Sequence, residues 1–180
     1  LWKYDGVNAP SMIADINPGS GNSGLSSLAV FNNQLFFEAD DGTNGDELWK
    51  YDGVNAPSMV ANINPFGDSL DTIRHSCFTV FNNELYFKAD DGTNGHELWK
   101  TDGTTLGTVI VADINPNGDG LFSASKHSCA VFNNELYFQG SDGTNGHELW
   151  KTDGTASGTV MAHNTASGSF NGYAQDLTVF

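Results

Sequence analysis

Positive charge is scarce in this chain. Seven Lys and Arg stand against 22 Asp and Glu, a formal net charge of -15. Such a surface repels nucleic acid and anionic membranes. It suits divalent cations, cationic partners or a saline exterior, and acidity also keeps a β-rich surface soluble. Long apolar runs are absent: no stretch of 18 apolar residues exists, so no transmembrane helix is predicted. No signal peptide is visible, and the chain opens at Leu1 inside a repeat, which suggests a processed or partial chain. No segment carries an 11-residue helical pattern. No Gly-x-Ser-x-Gly elbow, phosphate loop or zinc-protease helix is present. Only two cysteines occur, Cys77 and Cys129.

What the chain does have is repetition. Asp40-Asp41-Gly42-Thr43-Asn44-Gly45-Asp46-Glu47-Leu48-Trp49-Lys50 returns as 90–100 and again as 141–151, and Leu1-Trp2-Lys3 is a truncated copy. The tryptophans at 2, 49, 99 and 150 are separated by 47, 50 and 51 residues. A period near fifty is a repeat architecture. Each unit contains four short β-branched or aromatic runs. In the second full unit these are Phe78–Phe81, Glu84–Ala89, His96–Lys100 and Thr108–Ile114, joined by Asn-Asn, Asp-Gly and Asn-Gly turns. Such turns supply the positive φ that tight hairpins need.

Four antiparallel strands every fifty residues predict an all-β chain, a single β-propeller domain over 1–180 with four-stranded antiparallel blades. The repeats run about 1–24 (partial), 25–74, 75–125, 126–172 and 173–180 (partial). This makes three full blades plus a split or incomplete fourth. A ring of this kind closes by a continuation of the protein, by a partner chain, as in two chains sharing eight blades, or not at all. A homo-oligomer or a larger parent chain follows from the first two.

The segments Glu47-Leu48-Trp49-Lys50-Tyr51-Asp52-Gly53, Glu97–Thr104 and Glu148–Thr155 resemble the ELWxxDGT repeat of bacterial surface and secreted proteins. The resemblance implies a β-propeller and an extracellular, secreted or cell-surface address. It implies no defined activity. Val7–Ser11 and Val54–Ser58 depart from the Thr-x-x-Gly-Thr form of the turn, which leaves the conformation of those two hairpins open.

Several candidate sites compete. Arg74-His75-Ser76-Cys77 and Lys126-His127-Ser128-Cys129 precede the first strand of two neighbouring blades. They read as a Cys77–Cys129 disulfide, as two buried thiols, or as a soft-metal site for zinc or copper built from His75, Cys77, His127 and Cys129. Cys129 shares its position with Leu28, Phe78 and Leu177, which predicts core packing there. Arg74 and Lys126 supply two of the three cations not tied to a tryptophan, a local cationic mouth for an anionic ligand. The acidic loops offer oxygens at calcium-like spacing, namely Asp40, Asp41, Asn44 and Glu47, then Asp90, Asp91, Asn94 and Glu97. The same residues also read as ordinary turn formers. Trp49, Trp99 and Trp150 read as blade-to-blade packing, or as stacking platforms for sugar in repeated pockets. Paired carboxylates recur at every turn, whereas catalytic residues are more often unique. The combined expectation is a secreted, non-enzymatic binding module for glycan. A structural or adhesive propeller stiffened by calcium is the rival reading, and a metal-binding enzyme or redox protein using the two His-x-Cys pairs is the third.

Overall fold

A computed structural model describes residues 1–70, 77–121, 129–165, 168, 170–172 and 177–178. It contains three four-stranded antiparallel sheets and one two-stranded hairpin. The hairpin is β1 (Trp2–Lys3) and β2 (Ser11–Met12). The first blade is β3 (Ser26–Phe31), β4 (Gln34–Asp40), β5 (Asp46–Tyr51) and β6 (Ser58–Ala61). The second is β7 (Thr79–Phe81), β8 (Glu84–Asp90), β9 (His96–Thr101) and β10 (Val109–Ala112). The third is β11 (Cys129–Phe132), β12 (Glu135–Gly140), β13 (Glu148–Thr152) and β14 (Val160–His163). Every blade is a simple meander, each strand pairing with its sequence neighbour. No helix is long and apolar enough to cross a membrane among the described residues.

Turn chemistry sets the registers. Asn32-Asn33, Asn82-Asn83 and Asn133-Asn134 all have positive φ, from 47° to 60°. Asparagine tolerates that region, and two such residues in a row make the hairpin turn whose twist matches the strands. Phe31 therefore faces Gln34, Phe81 faces Glu84 and Phe132 faces Glu135. The variant hairpins resolve in the same terms. The Asp52 carboxylate accepts from the Val54 and Asn55 amides and from the Asn55 side chain, and Asp5 does the same for Val7 and Asn8. The Thr-rich turns use Asp102 and Asp153 on Thr104 and Thr155 instead.

The blades stack face to face. Along β4 and β8 alternate side chains point to opposite neighbours, as strand geometry requires. Phe36 and Leu48 of the first blade share a core with Leu85, Phe87, Ala89 and Trp99 of the second. Tyr86 and Leu98 of the second share one with Leu136, Phe138 and Trp150 of the third. Phe37, Ala39 and Trp49 pack toward Leu1, Ala14 and Ile16 of the N-terminal hairpin. This is a β-propeller arrangement, and the described sheets do not close into a ring. No strand follows β14 among the described residues, and the strand predicted at about 173–180 falls mostly outside them.

One expectation about the core changes. Leu28 is exposed rather than buried, because the register of β3 against β4 slips between Ser26 and Ala29 at Ser27, whose φ is +50°. A bulge of this kind turns the following side chain outwards. Phe78, at the matching place, does pack against its core.

The acidic loops also join blades. A Cβ on Gly92 (φ +79°) would lie 2.8 Å from Asn64 Oδ1 of the preceding crossover, and Gly42 and Gly143 stand likewise over Asn17 and Asn115. Here glycine serves both the left-handed backbone and the close approach. Gly92→Ala is expected to cost about 1–3 kcal/mol in urea unfolding, through strain at this φ and displacement of Asn64. A neutral result would mean that the loop and the Asn64 crossover are not held together.

Candidate functional site: a repeated carboxylate clasp and an open cleft

The glutamate of each Glu-Leu-Trp-Lys segment has a defined structural task. Glu47 is fully buried and accepts from the Ile63 and Asn64 amides (2.9 and 3.1 Å) and from the Ser69 hydroxyl (2.6 Å). Glu97, equally buried, accepts from the Ile114 and Asn115 amides (3.0 and 3.2 Å). Glu148 accepts from both the amide and the hydroxyl of Thr165 at 2.6 Å. Each carboxylate satisfies the backbone of the crossover that leaves its own blade, where an unpaired amide would cost more than a weak bond gains. The crossover in turn reaches the next blade: Asp90 N donates to Ser69 O, and Ser141 N donates to Gly120 O. The glutamate thus links strand, crossover and following blade.

Burial dominates the electrostatics of this clasp. It pushes the carboxyls of Glu47 and Glu97 up to about 7 from an ordinary 4.5, against the opposing pull of their hydrogen-bond donors. Perturbed acids of this kind also mark catalytic sites. Here two copies show the same shift with the same backbone partners in separate blades, which is the signature of a structural unit.

The predicted calcium ligands do not converge. Asp41 accepts from Thr43 N, Asn44 N and the Asn44 amide group, closing its own turn, and Asp40 accepts from Gly42 N. Asp90, Asp91 and Asn94 repeat this arrangement. Glu47 and Glu97 point instead into the interior, at the crossovers. Alternation along the strand separates the glutamates from the loop oxygens. Among the described residues no three of His, Cys, Asp and Glu come together as a metal-ligand group.

Cys77 and Cys129 are bonded to each other, with their Cα atoms 5.7 Å apart. Both sulfurs are committed to that bond, so neither is a thiolate ligand for zinc or copper. The bridge joins the entries to the first strands of the second and third blades. His75, His127, Arg74 and Lys126 lie outside the described residues.

The tryptophans are packing residues. Trp99 and Trp150 are buried, Trp49 is half-buried, and each sits in the core it shares with the preceding unit. Trp99 and Trp150 are taken up by the apolar cores they share with the neighbouring blades, and Trp49 packs with Phe37 and Ile16, so the sugar-stacking platforms expected at Trp99 and Trp150 are buried. The clasp could have been suspected from sequence, since an acid embedded between a turn and Leu-Trp is poorly placed to meet solvent. The register that buries it was not visible there.

An open cleft of about 470 Å³ lies between the N-terminal hairpin and the first blade. Leu1, Trp2, Lys3 and Ile13 form one wall. Val30, Leu35 and Tyr51 form the apolar part of the other, and Asn33, Gln34, Asp52 and Gly53 supply its polar groups. In the two internal interfaces the matching space is occupied. Phe36 presses on Gly103, and the Tyr86 hydroxyl on Gly154, whereas nothing lies within 4 Å of a Cβ placed at Gly53. Among the described residues, then, the cleft is an inter-blade position with no aromatic ring against the turn glycine.

No family model matches the chain. No curated protein matches it either. Among solved structures it is similar to an alpha-L-arabinofuranosidase from Clostridium thermocellum, at 17% identity and a TM-score of 0.36. The match covers 83% of this chain and 52% of that enzyme, so the chain spans about half its length. At that score the likeness assigns no activity here.

Proposed function

We propose that this chain is part of a secreted, non-enzymatic propeller of the ELWxxDGT type that binds carbohydrate in the cleft beside Tyr51. The observation that carries the reading is the composition of that cleft. An aromatic ring and aliphatic side chains line one part, and Asn33 and Gln34 contribute to the lining beside them. The C–H face of a sugar packs on such a ring, and its hydroxyls bond to planar amides. Among the described residues one carboxylate, Asp52, lines the cleft, and it is spent on its own turn, while Glu47 and Glu97, raised to about 7, are fully buried away from it.

Titration with a panel of neutral and acidic oligosaccharides, followed by NMR, tests this. Binding is expected to shift the resonances of Tyr51 and Gln34, and Tyr51→Ala is expected to weaken it on the order of tenfold, the scale of one lost aromatic contact. A panel without a binder, or a binder indifferent to Tyr51→Ala and Gln34→Ala, would sink the proposal. Binding that maps to residues 74–76 or 126–128 would favour the cationic mouth and an anionic ligand instead.

A further inference from the structure

Five Asn-Gly pairs punctuate the chain, at 44–45, 94–95, 117–118, 145–146 and 171–172. An asparagine followed by glycine carries a latent reaction. The glycine amide nitrogen, with no side chain to shield it, attacks the carboxamide carbon of the preceding residue. The reaction needs a carboxamide free to rotate toward that nitrogen and a glycine N–H free to give up its proton. The fold treats the five pairs differently.

Three of them sit in the acidic loops. Asn44 and Asn94 donate from Nδ2 to Asp41 and Asp91 at 2.8 and 2.7 Å, and Asn145 donates to Asp142 at 2.7 Å. All three asparagines are half-buried, and the carbonyl oxygens of Asn44 and Asn145 also accept from Asn62 and Asn164. A hydrogen bond to a carboxylate is among the stronger ones, and turning the carboxamide toward its glycine breaks it. In the pair at 171–172 both reacting groups are engaged: Asn171 Oδ1 accepts from His147 N at 3.0 Å, and Gly172 N donates to His147 O at 2.8 Å.

Asn117 differs from all four. It is exposed on the crossover that leaves the second blade, and its carboxamide has no hydrogen-bond partner among the described residues. One turn bond, from Gly118 N to Asn115 O at 3.0 Å, holds the attacking nitrogen. A bond of that kind in a surface crossover opens far more readily than the core.

We propose that Asn117 is a site of spontaneous covalent modification, converted to aspartate and isoaspartate while the other four asparagines are protected. Gly118 N bonds to Asn117 Cγ, the Cγ–Nδ2 bond breaks, and the displaced nitrogen leaves as ammonia with the glycine proton. Water then opens the cyclic imide at either carbonyl. Nothing is oxidised or reduced, and water is the sole co-reactant. The altered bond lies where the crossover meets the second blade. A Cβ on Gly95 would be 2.9 Å from Gly118 C and O, and the Asp119 carboxylate accepts from His96 N at 2.9 Å. Isoaspartate lengthens the backbone by a methylene at this seat and so displaces Asp119 from His96. The inference is independent of glycan binding.

Peptide mapping by mass spectrometry tests it, after incubation of the intact chain in mildly alkaline buffer with and without urea. Each conversion is read as the mass gain of an NH-to-O exchange. In the folded chain Asn117 is expected to convert on the order of tenfold or more faster than Asn44, Asn94 and Asn145, the factor that one retained charge-assisted hydrogen bond supplies. In urea the five sites are expected to converge. Asp91→Ala frees the Asn94 carboxamide and is expected to raise conversion at Asn94 alone. Loop asparagines that convert as fast as Asn117 in the folded chain overturn the proposal. So does a preference for Asn117 that survives unfolding, because its cause would then lie in the local sequence. Should Asp91→Ala not fold, the comparison of folded and unfolded wild type decides alone.

Discussion

Glu97→Ala is expected to destabilise the chain by about 3 kcal/mol, because it strips acceptors from two buried backbone amides and opens a cavity at a fully buried position. Glu47→Ala removes three such bonds and should cost at least as much. The more diagnostic measurement is pH dependence. Burial raises both carboxyls to about 7, above their ordinary 4.5 in an unfolded chain. The native state therefore holds protons that the unfolded state gives up. Their contribution to stability is complete below 4.5 and is lost as pH rises through 7. Aspartates held low by their own turns, such as Asp41, Asp91 and Asp142, act in the opposite sense. Their contribution is present above 3.8 and fades as the solution becomes more acid. Urea midpoints are thus expected to peak near about pH 5 and to fall toward pH 8. Glu97→Gln should flatten the descending limb. A midpoint that rises steadily from pH 5 to 8 would show the clasp to be ionised and fully compensated.

Reducing the bond between Cys77 and Cys129 is the second large perturbation. The two residues are 52 apart in sequence, and a cross-link over that distance removes chain entropy worth about 4 kcal/mol from the unfolded state. Cys77→Ser and Cys129→Ser, singly or together, are expected to lower the denaturation midpoint by the same amount as reductant. They should leave the first blade and the hairpin least affected, since the bridge joins the second and third blades. If reductant lowers the wild-type midpoint and leaves the double variant unchanged, the bridge is the cause. If the wild type is indifferent to reductant, the bond contributes nothing.

Both experiments act on contacts that were only partly legible in the residues themselves. The repeat of Trp-Lys, the paired asparagines and the spacing of β-branched runs specify the N-terminal strand pair and the twelve strands of three blades, their antiparallel pairing and their grouping into blades, while the further strand expected at 173–180 lies mostly outside the described residues. The reason is local. Turn residues with positive φ dictate where the chain reverses, and period-two alternation dictates which side chains share a face. A pair of cysteines in neighbouring repeats was enough to raise a bridge among the alternatives, although not to choose it.

Stacking was beyond that reach. An Asp-Asp-Gly-Thr-Asn-Gly-x-Glu run looks like a set of cation ligands because its oxygens are close in sequence. Only the strand register shows Glu47 and Glu97 turned inward to the crossovers while Asp41 and Asp91 close their own turns. Tryptophan at a regular interval looks equally like a ligand platform and a packing residue, and the neighbouring blade decides between them by covering its face. The open cleft is likewise a product of stacking, which sets the N-terminal hairpin against the first blade. A sequence of near-identical units cannot mark which interface leaves such a space.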